Sequence, residues 1–497
     1  MRILRLIPSL IFIALSVDCW AASNPIVLHG TVKGDQNNSY IEAPFDVPPG
    51  TERLTVSFRY TGKEKHTTLD IGIEDPQRFR GWSGGNKSTF TIGASDATPS
   101  YLPGPIVPGK WKLLIGVPNI RPSSVATYEA EIYLSPAGTL DAFSGEPLRS
   151  GWGWYRGDLH MHTAHSDGQC NSQSGQRVPC PVFFTADAAA RRGLDFIAVT
   201  DHNTTAHYDA LRELQPYFDK LLLIPGREIT TFTGHANVFG VAEFLDFRVG
   251  SSSVPDMNSL LRSARDLNAL VSINHPGAPT GEICMGCGWT PRTTADLNLV
   301  TAVEAVNGGS EEGPYSGIPL FWETQLTAGH RLTAIGGSDN HNAQLPPERP
   351  GSVGSPTTVV YAPALSVQGI LDGIRSGRVF VDLTASNDRL LDFSARSAKG
   401  EAFMGGSLGA GAGEAVELTA HVLSCQGAKL RIVVDGNESG IPPQPIPSAD
   451  QTLRATWKSD GQRHWLRADV LSDAGKLQVL GNAIYVNWIV DLRPVTR

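Results

Sequence analysis

The sequence predicts a multidomain chain in which a central (β/α)7 barrel, residues 150–385, is flanked by β-sandwiches at 24–136 and 386–497. The 497 residues exceed what one hydrophobic core holds and indicate about three domains. In the centre, β-like and helical stretches alternate, which is typical of parallel strands joined by helical crossovers. The flanks show short alternating runs between Pro, Gly and Asn clusters, which favour antiparallel sheets.

The N-terminus has the pattern of a cleavable export signal. A basic start is followed by the apolar run Leu6–Val17 and the small residue Ala21, so residues 1–21 are predicted to be a signal peptide. Asp18 argues against a lipoprotein anchored at Cys19. We therefore expect a periplasmic or secreted protein. No stretch is long and apolar enough to predict a membrane span.

The composition argues against a nucleic-acid partner. The net charge is −8 and the pI is near 5.9, so there is no basic excess to meet a phosphate backbone or an anionic membrane. Apolar residues make up 41% of the chain and charged residues 18%, which describes a globular protein of undefined oligomeric state.

Five cysteines follow the signal. In an oxidising compartment we expect two local disulfides, Cys170–Cys180 and Cys284–Cys287. A zinc pair or a redox dithiol is the alternative for Cys284 and Cys287, but no second CxxC completes a structural zinc site. Cys425 is expected to be buried and free.

The N-terminal sandwich is predicted from alternating runs at Leu54–Tyr60, Trp111–Gly116 and Tyr128–Leu134. Trp82 and Tyr101 would suit a sugar-binding module if they were exposed. A structural cap on the next domain is the favoured interpretation, because a fold alone does not assign function. The C-terminal region shows similar alternation and no recognisable chemistry.

The central region provides the elements of the predicted barrel. Its seven β-like runs are Arg156–His162, Asp195–His202, Leu221–Glu228, His235–Gly240, Ala269–His275, Ala302–Asn307 and Leu332–His341. Amphipathic helices are predicted at Phe183–Arg192, Tyr208–Phe218, Asp256–Leu267 and Leu320–His330.

Histidines and carboxylates recur at the ends of these runs. His160 and His162 share one strand face, Asp167 follows in the next turn, and Asp339 and His341 repeat the two-residue spacing. Nine of the thirteen histidines lie between His160 and His341, which core histidines alone would not produce. Because the C-terminal ends of parallel barrel strands meet on one face, these groups should converge there. Such a donor set suits zinc, manganese or iron.

The successive motifs resemble those of a known superfamily. HMHTAHSDG, TDHN, GREIT with GHANVFG, NHPG and SDNH resemble, in order, the motifs of the PHP (polymerase and histidinol phosphatase) metallohydrolases. The exported form, the GHANVFG segment and the C-terminal β-region are similar to the CehA/McbA branch, which includes carbaryl hydrolases.

The resemblance implies a distorted seven-stranded PHP barrel that holds three divalent metals. The ligands that it implies are His160, His162, Glu228 and Asp339 for the first metal; Glu228, as a bridge, with His235 and His275 for the second; and Asp167, His202 and His341 for the third. Asp167 stands where some relatives have His, and the segment that contains His235 varies within the superfamily.

The resemblance further implies hydrolysis by a metal-bound water. Six neutral histidines and three carboxylates carry −3, and three divalent cations carry +6, so a surplus of about +3 favours an anionic phosphoester as the small-molecule substrate. Carbamate, carboxylester or amide hydrolysis at the same site is the alternative. A non-catalytic glycan-binding protein with a vestigial barrel is the alternative from a different class.

Three further residues are candidates for supporting roles. Asp201 is a possible auxiliary that orders a ligand imidazole, and strand-end capping is the alternative. His165 is a possible proton donor, although a solvent-facing turn residue is the favoured interpretation. Glu304 ends the sixth run and would reach either the site or a structural hydrogen bond.

Overall fold

The computed structural model describes residues 24–135, 146–308 and 316–488. The predicted signal peptide lies outside these residues. Among the helices that are described, none combines the length and the apolar character needed to cross a bilayer.

Residues 26–135 form two four-stranded antiparallel sheets with the orders β1-β8-β3-β6 and β2-β7-β4-β5. Their strands are β1 (Ile26–Lys33), β2 (Ser39–Val47), β3 (Arg53–Tyr60), β4 (Thr68–Glu74), β5 (Phe79–Gly84), β6 (Thr89–Gly93), β7 (Gly109–Asn119) and β8 (Val125–Ser135). Alternate residues such as Val56, Ile73, Trp111 and Ile132 point inward and form one apolar core.

The central region contains strands β9 to β19 and five helices. Its elements are β9 (Arg149–Asp158), β10 (Gln169–Asn171), β11 (Arg177–Pro179), α1 (Val182–Arg191), β12 (Phe196–Val199), α2 (Tyr208–Leu214), β13 (Leu222–Thr231), β14 (Gly234–Phe239), α3 (Met257–Asp266), β15 (Leu270–Ile273), β16 (Ala302–Asn307), α4 (Glu323–Ala328), β17 (Thr333–Gly337), β18 (Thr357–Leu365), α5 (Val367–Ser376) and β19 (Val379–Asp382).

The C-terminal region consists of strands. They are β20 (Leu390–Ser397), β21 (Gly400–Phe403), β22 (Ser407–Leu408), β23 (Ala415–Leu423), β24 (Lys429–Val434), β25 (Asn437–Glu438), β26 (Gln444–Pro445), β27 (Asp450–Lys458), β28 (His464–Leu471), β29 (Leu477–Gly481) and β30 (Ile484–Val486). Four of them form the antiparallel sheet β21-β20-β23-β27.

The predicted (β/α)7 barrel is wrong. The central strands belong to a 16-stranded mixed sheet of order β17-β16-β15-β14-β13-β12-β9-β18-β19-β29-β28-β24-β25, with β22, β26 and β30 attached, and the described strands do not close into a barrel. Strands β13, β14 and β15 are antiparallel neighbours, and β18 runs antiparallel to β9. The described chain is mostly strand and has only five α-helices.

A hairpin accounts for much of this difference. Strands β13 and β14 are joined only by Phe232 and Thr233, so no helix crosses between them and the pair has to be antiparallel. The C-terminal strands form two layers around one core, but one of these layers is continuous with the central sheet. Because β19 pairs with β29, the sheet continues past residue 385, and Val359 and Phe380 pack in the same core as Phe393 and Leu466.

Helical crossovers join the parallel pairs β9–β12, β12–β13 and β16–β17. Helices α1, α2, α3 and α4 overlap the four predicted stretches, whereas α5 was not predicted. Helix α3 begins where the Asp256 carboxylate accepts from the Ser259 backbone N–H at 2.8 Å, and α5 begins where Ser366 Oγ accepts from Gly369 N at 3.0 Å. These caps fix the points at which loops return to the sheet.

Candidate metal centre

Loops that follow β9, β12 and β17 are tied together at one edge of the mixed sheet, although five strands separate β9 from β17 in the sheet order. The backbone N–H of His162 donates to Asn340 O at 2.8 Å, and that of Asp339 donates to His160 O at 2.9 Å, so the segments after β9 and β17 lie side by side. The backbone N–H of Asn203 donates to Glu228 O at 2.9 Å and fixes the segment after β12 against β13. Polar side chains distant in sequence therefore meet at this edge.

Glu228 lies at the centre of the cluster and is buried. Its Oε2 is 3.4 Å from His160 Nε2 and 2.9 Å from His202 Nδ1. Its Oε1 is 3.2 Å from His235 Nδ1 and 3.3 Å from His275 Nε2. One carboxylate thus faces imidazoles from four separate segments.

Two other carboxylates complete the donor set. Asp339 Oδ1 lies 3.3 Å from His160 Nε2 and 3.1 Å from His162 Nε2. Asp167 is on the outer side, 3.7 Å from His202 Nε2 and 3.4 Å from His341 Nε2. All nine residues singled out as metal ligands therefore lie in one continuous cluster.

The cluster contains groups of side chains that could each hold a metal ion. These groups are His160, His162 and Asp339; Glu228, His235 and His275; His162, Asp167, His202 and His341; and His160, His275 and Glu304. Within each group the donor atoms lie within 4.8 Å of one another.

Two buried nitrogens support a metal at this position. His160 Nε2 and His235 Nε2 are shielded from solvent, and neither makes a hydrogen bond. A buried polar atom without a partner is costly, and His160 Nε2, which lies 3.3 Å from Asp339 and 3.4 Å from Glu228, is well placed as a ligand for a divalent transition metal. The residues present therefore fit such ions.

The charges of the cluster also favour a cation at this position. Burial alone would lower the pKa of His202, but Asp167 and Glu228 raise it to about 10. Burial is likewise outweighed at His160, where Asp339 and Glu304 raise the pKa well above the usual value. Although burial opposes ionisation of Glu228, His160 holds its pKa well below the usual range. The carboxylates are thus held ionised by positive charge on the neighbouring imidazoles, a role that a bound cation would take over.

Hydrogen bonds behind the imidazoles orient them. His160 Nδ1 lies 2.9 Å from Glu304 Oε1, and a proton on Nδ1 leaves the Nε2 lone pair facing Glu228. His275 Nδ1 donates in the same way to the Cys287 carbonyl oxygen at 3.2 Å. Glu304 therefore orients the His160 ring through Nδ1. Its carboxylate also accepts a hydrogen bond from the His275 backbone N–H at 3.0 Å.

Asp201 and His165 lie outside the donor cluster. The Asp201 carboxylate accepts from Thr163 N at 2.7 Å and from Ser166 Oγ at 2.6 Å, so it fixes the turn that carries Asp167 and touches no ligand imidazole. His165 is exposed on that turn, and its ring lies 6.1 Å from that of His207. Asp201 is thus a positioning group for the turn.

Two ligand positions have unusual backbone conformations. His275 has a φ of 25° and Asp339 a φ of 52°, in the region that non-glycine residues rarely adopt. Each is held by a hydrogen bond from its own backbone N–H, to Glu304 for His275 and to the His160 carbonyl for Asp339. Such local strain is typical of functional sites.

The cysteines differ in part from the prediction. Cys284 and Cys287 form a disulfide, which places the Cys287 carbonyl behind His275. The predicted Cys170–Cys180 disulfide is wrong, because both are free buried thiols. Burial and a hydrogen bond with Cys170 raise the pKa of the Cys180 thiol to about 12. Cys425 is free and buried.

Two asparagines of the site were not predicted from the sequence. Asn274 Nδ2 donates to Glu228 Oε1 at 2.9 Å. Asn307 Nδ2 donates to Glu304 at 2.9 Å and to Asp339 at 3.3 Å, and so links two carboxylates. Both follow or end strands of the site edge, and that position is the signal that would have found them.

No protein-family model matches the chain, and a search among curated proteins finds no relative. The chemistry of the site therefore rests on its own side chains.

Proposed function

We propose that the protein is an exported metal-dependent hydrolase that cleaves a phosphoester. The observation that carries the proposal is the buried histidine and carboxylate cluster, in which the Nε2 atoms of His160 and His235 lack any hydrogen bond. The likeness of its motifs to PHP metallohydrolases supports the same reaction class.

Charge favours an anionic substrate. Asp167, Glu228 and Asp339 contribute −3, and six neutral imidazoles contribute nothing, so two or three divalent cations would leave a positive surplus. A phosphoester oxygen matches that surplus better than a neutral carbonyl does. The cations would supply Lewis-acid polarisation of the ester and activation of a water nucleophile.

Exposure indicates the side from which a substrate enters. The side chains of Asp167, His341 and His202 are 54%, 40% and 27% exposed, whereas those of His160 and Glu228 are buried. The substrate would therefore meet the Asp167 side first. Asp201 would keep that entrance in place by holding the turn around Ser166.

The test combines metal analysis with a substrate screen. The mature protein, loaded with zinc, manganese or iron, is assayed with p-nitrophenyl phosphate, bis-p-nitrophenyl phosphate, aryl carbamates and aryl carboxylesters. We expect bound metal and turnover of a phosphorus ester, with both lost in His160→Ala and Asp339→Ala. The matched control is His421→Ala, which removes a partly exposed imidazole that pairs with Asp450 in the C-terminal region.

Turnover of carbamates with inert phosphoesters would refute the phosphoesterase proposal and leave the carbamate or carboxylester alternative. A purified protein that retains no transition metal would refute the metallohydrolase as a class.

A further inference from the structure

The outer face of the sheet β2-β7-β4-β5 carries aromatic and acidic side chains. Tyr40, Gly116 and Asp70 lie in one register row across β2, β7 and β4. The next row on the same face runs through Glu42, Leu114, Gly72 and Trp82. The opposite face of these strands is the apolar core of the sandwich, so this row pattern gives the sheet a second, non-core face.

Two glycines without a Cβ leave room for the Trp82 ring to pack against the sheet. A Cβ at Gly72 would overlap the six-membered ring of Trp82, and a Cβ at Gly116 would lie 2.8 Å from Cη2. The indole therefore lies against bare backbone on two adjacent strands. One ring face is supported in this way, and the ring is only partly buried.

Tyr40 lies beside the Trp82 ring and borders the same surface. Its ring centre is 6.0 Å from that of Trp82 at an interplanar angle of 65°, and Tyr40 is 79% exposed. The two rings line an open groove of about 670 Å³ that also includes the half-exposed Phe79. This volume is in the usual range for small-ligand sites.

The groove offers one carboxylate without a partner. Asp70 makes no hydrogen bond or ion pair within the described part of the chain, and burial raises the pKa of its carboxyl. Glu42 and Glu74 are different, because Lys112 Nζ lies 2.9 Å from the first and 4.0 Å from the second. The groove thus has free acceptor capacity beside the aromatic rings, and the nearby Lys112 is already paired with its glutamates.

We propose that this groove binds a neutral glycan chain. The C–H face of a sugar ring would stack on Trp82, Tyr40 would flank it, and hydroxyl groups would donate to Asp70. An anionic ligand is disfavoured because Lys112 is paired with two glutamates. An organic cation is the competing occupant, because the same rings and carboxylates would attract it, and tetramethylammonium tests for it. The site is separate from the metal centre and does not depend on the hydrolase proposal.

Tyr101 is not part of this groove. It is buried, and its ring stacks on Phe90 at 3.8 Å. Of the two aromatics that suggested sugar binding in the sequence, only Trp82 lies where a ligand can reach it.

Calorimetric titration of the full mature protein tests the proposal. The probes are hexasaccharides of β-1,4-glucose, α-1,4-glucose, β-1,4-mannose and β-1,4-N-acetylglucosamine, with tetramethylammonium as the cationic competitor. We expect one saccharide to bind with little dependence on salt. Trp82→Ala and Tyr40→Ala should each weaken it by roughly tenfold or more.

Trp152→Ala is the matched control, because this tryptophan is 69% exposed and lies outside the groove. It should bind like the wild type, and metal content should be unchanged in all three variants. Since Tyr40 is on the surface, its variant still reports if Trp82→Ala fails to fold. The proposal is overturned if no saccharide binds, if Tyr40→Ala binds as the wild type does, or if tetramethylammonium alone binds with salt-sensitive affinity.

Discussion

Replacing Glu304 by glutamine should weaken metal binding although Glu304 is not one of the nine predicted ligands. Glu304 Oε1 faces His160 Nδ1 at 2.9 Å, and Oε2 accepts from His275 N at 3.0 Å and Asn307 Nδ2 at 2.9 Å. An amide has only one acceptor oxygen. In one orientation the NH2 group of the new amide faces the His160 Nδ1–H donor, and in the other it faces the His275 N–H and Asn307 Nδ2 donors.

The more damaging placement changes the His160 tautomer. If the amide NH2 faces His160, Nδ1 has to accept, and the ring proton moves to Nε2, the atom that lies 3.3 Å from Asp339 and 3.4 Å from Glu228. A protonated Nε2 has no lone pair for a metal. Loss of such an orienting partner typically costs 10–100-fold in metal affinity, or roughly 1.4–2.7 kcal/mol.

Competition with a chromophoric zinc chelator measures the affinity, and mass spectrometry of the metals measures the stoichiometry. Glu401→Gln is the matched control, since Glu401 pairs with Arg396 at an exposed position. An unchanged stoichiometry with weaker affinity is expected. Affinity within about threefold of the wild type would refute the orienting role, and loss of a whole metal ion would show that Glu304 is itself a ligand.

Three other predictions concern packing and charge. Gly337→Ala should lower metal content, because the new Cβ would overlap Glu304 Oε1; metal analysis of the folded variant checks this, and full occupancy would contradict it. Ser366→Ala should lower the stability by about 1 kcal/mol in urea unfolding, because it removes the cap of α5; an unchanged midpoint would contradict the cap. Burial disfavours protonation of His464, but hydrogen bonds with two aspartates raise its pKa above 6.5. The stabilisation that the protonated imidazole gives to the fold is therefore complete below about pH 6.5, and it is lost as the pH rises through the pKa of His464 in the folded protein. Because His464 is partly solvated, the loss should be at most about 1 kcal/mol, and His464→Gln should abolish it in urea titrations at different pH values.

The donor residues were readable from the sequence because their signal is local. His160 and His162 are two apart on one extended segment, and Asp339 and His341 repeat that spacing after another strand. Such spacing sets which side chains share a face whatever the neighbouring strand does. The supporting contacts were not readable, because Glu304 lies 144 residues from His160 and nothing local announces their pairing.

Strand direction was the part of the fold that the sequence did not define. A run such as Leu222–Thr231 is buried on both faces, so its pattern is the same in a parallel and an antiparallel sheet, and only the length of the connection distinguishes the two. The connection to β14 is two residues, Phe232 and Thr233, before Gly234 with a φ of 154°. A Cβ at Gly234 would lie 2.5 Å from Trp289, so the turn also depends on a partner far along the chain.

The β13–β14 hairpin explains why two of the predicted ligands lie together although the predicted barrel is wrong. Glu228 pairs with Asn237 and Thr230 with His235, so Glu228 and His235 are diagonal neighbours on one face of an antiparallel pair. Their side chains meet at 3.2 Å without any crossover helix. In a parallel barrel Glu228 and His235 would meet at the ends of separate strands. In this sheet they meet because the register of the β13–β14 hairpin places them on the same face. Inserting one residue in the Phe232–Thr233 turn should therefore shift His235 to the opposite face and lower metal content, while unchanged metal content would show that the hairpin register does not position this ligand.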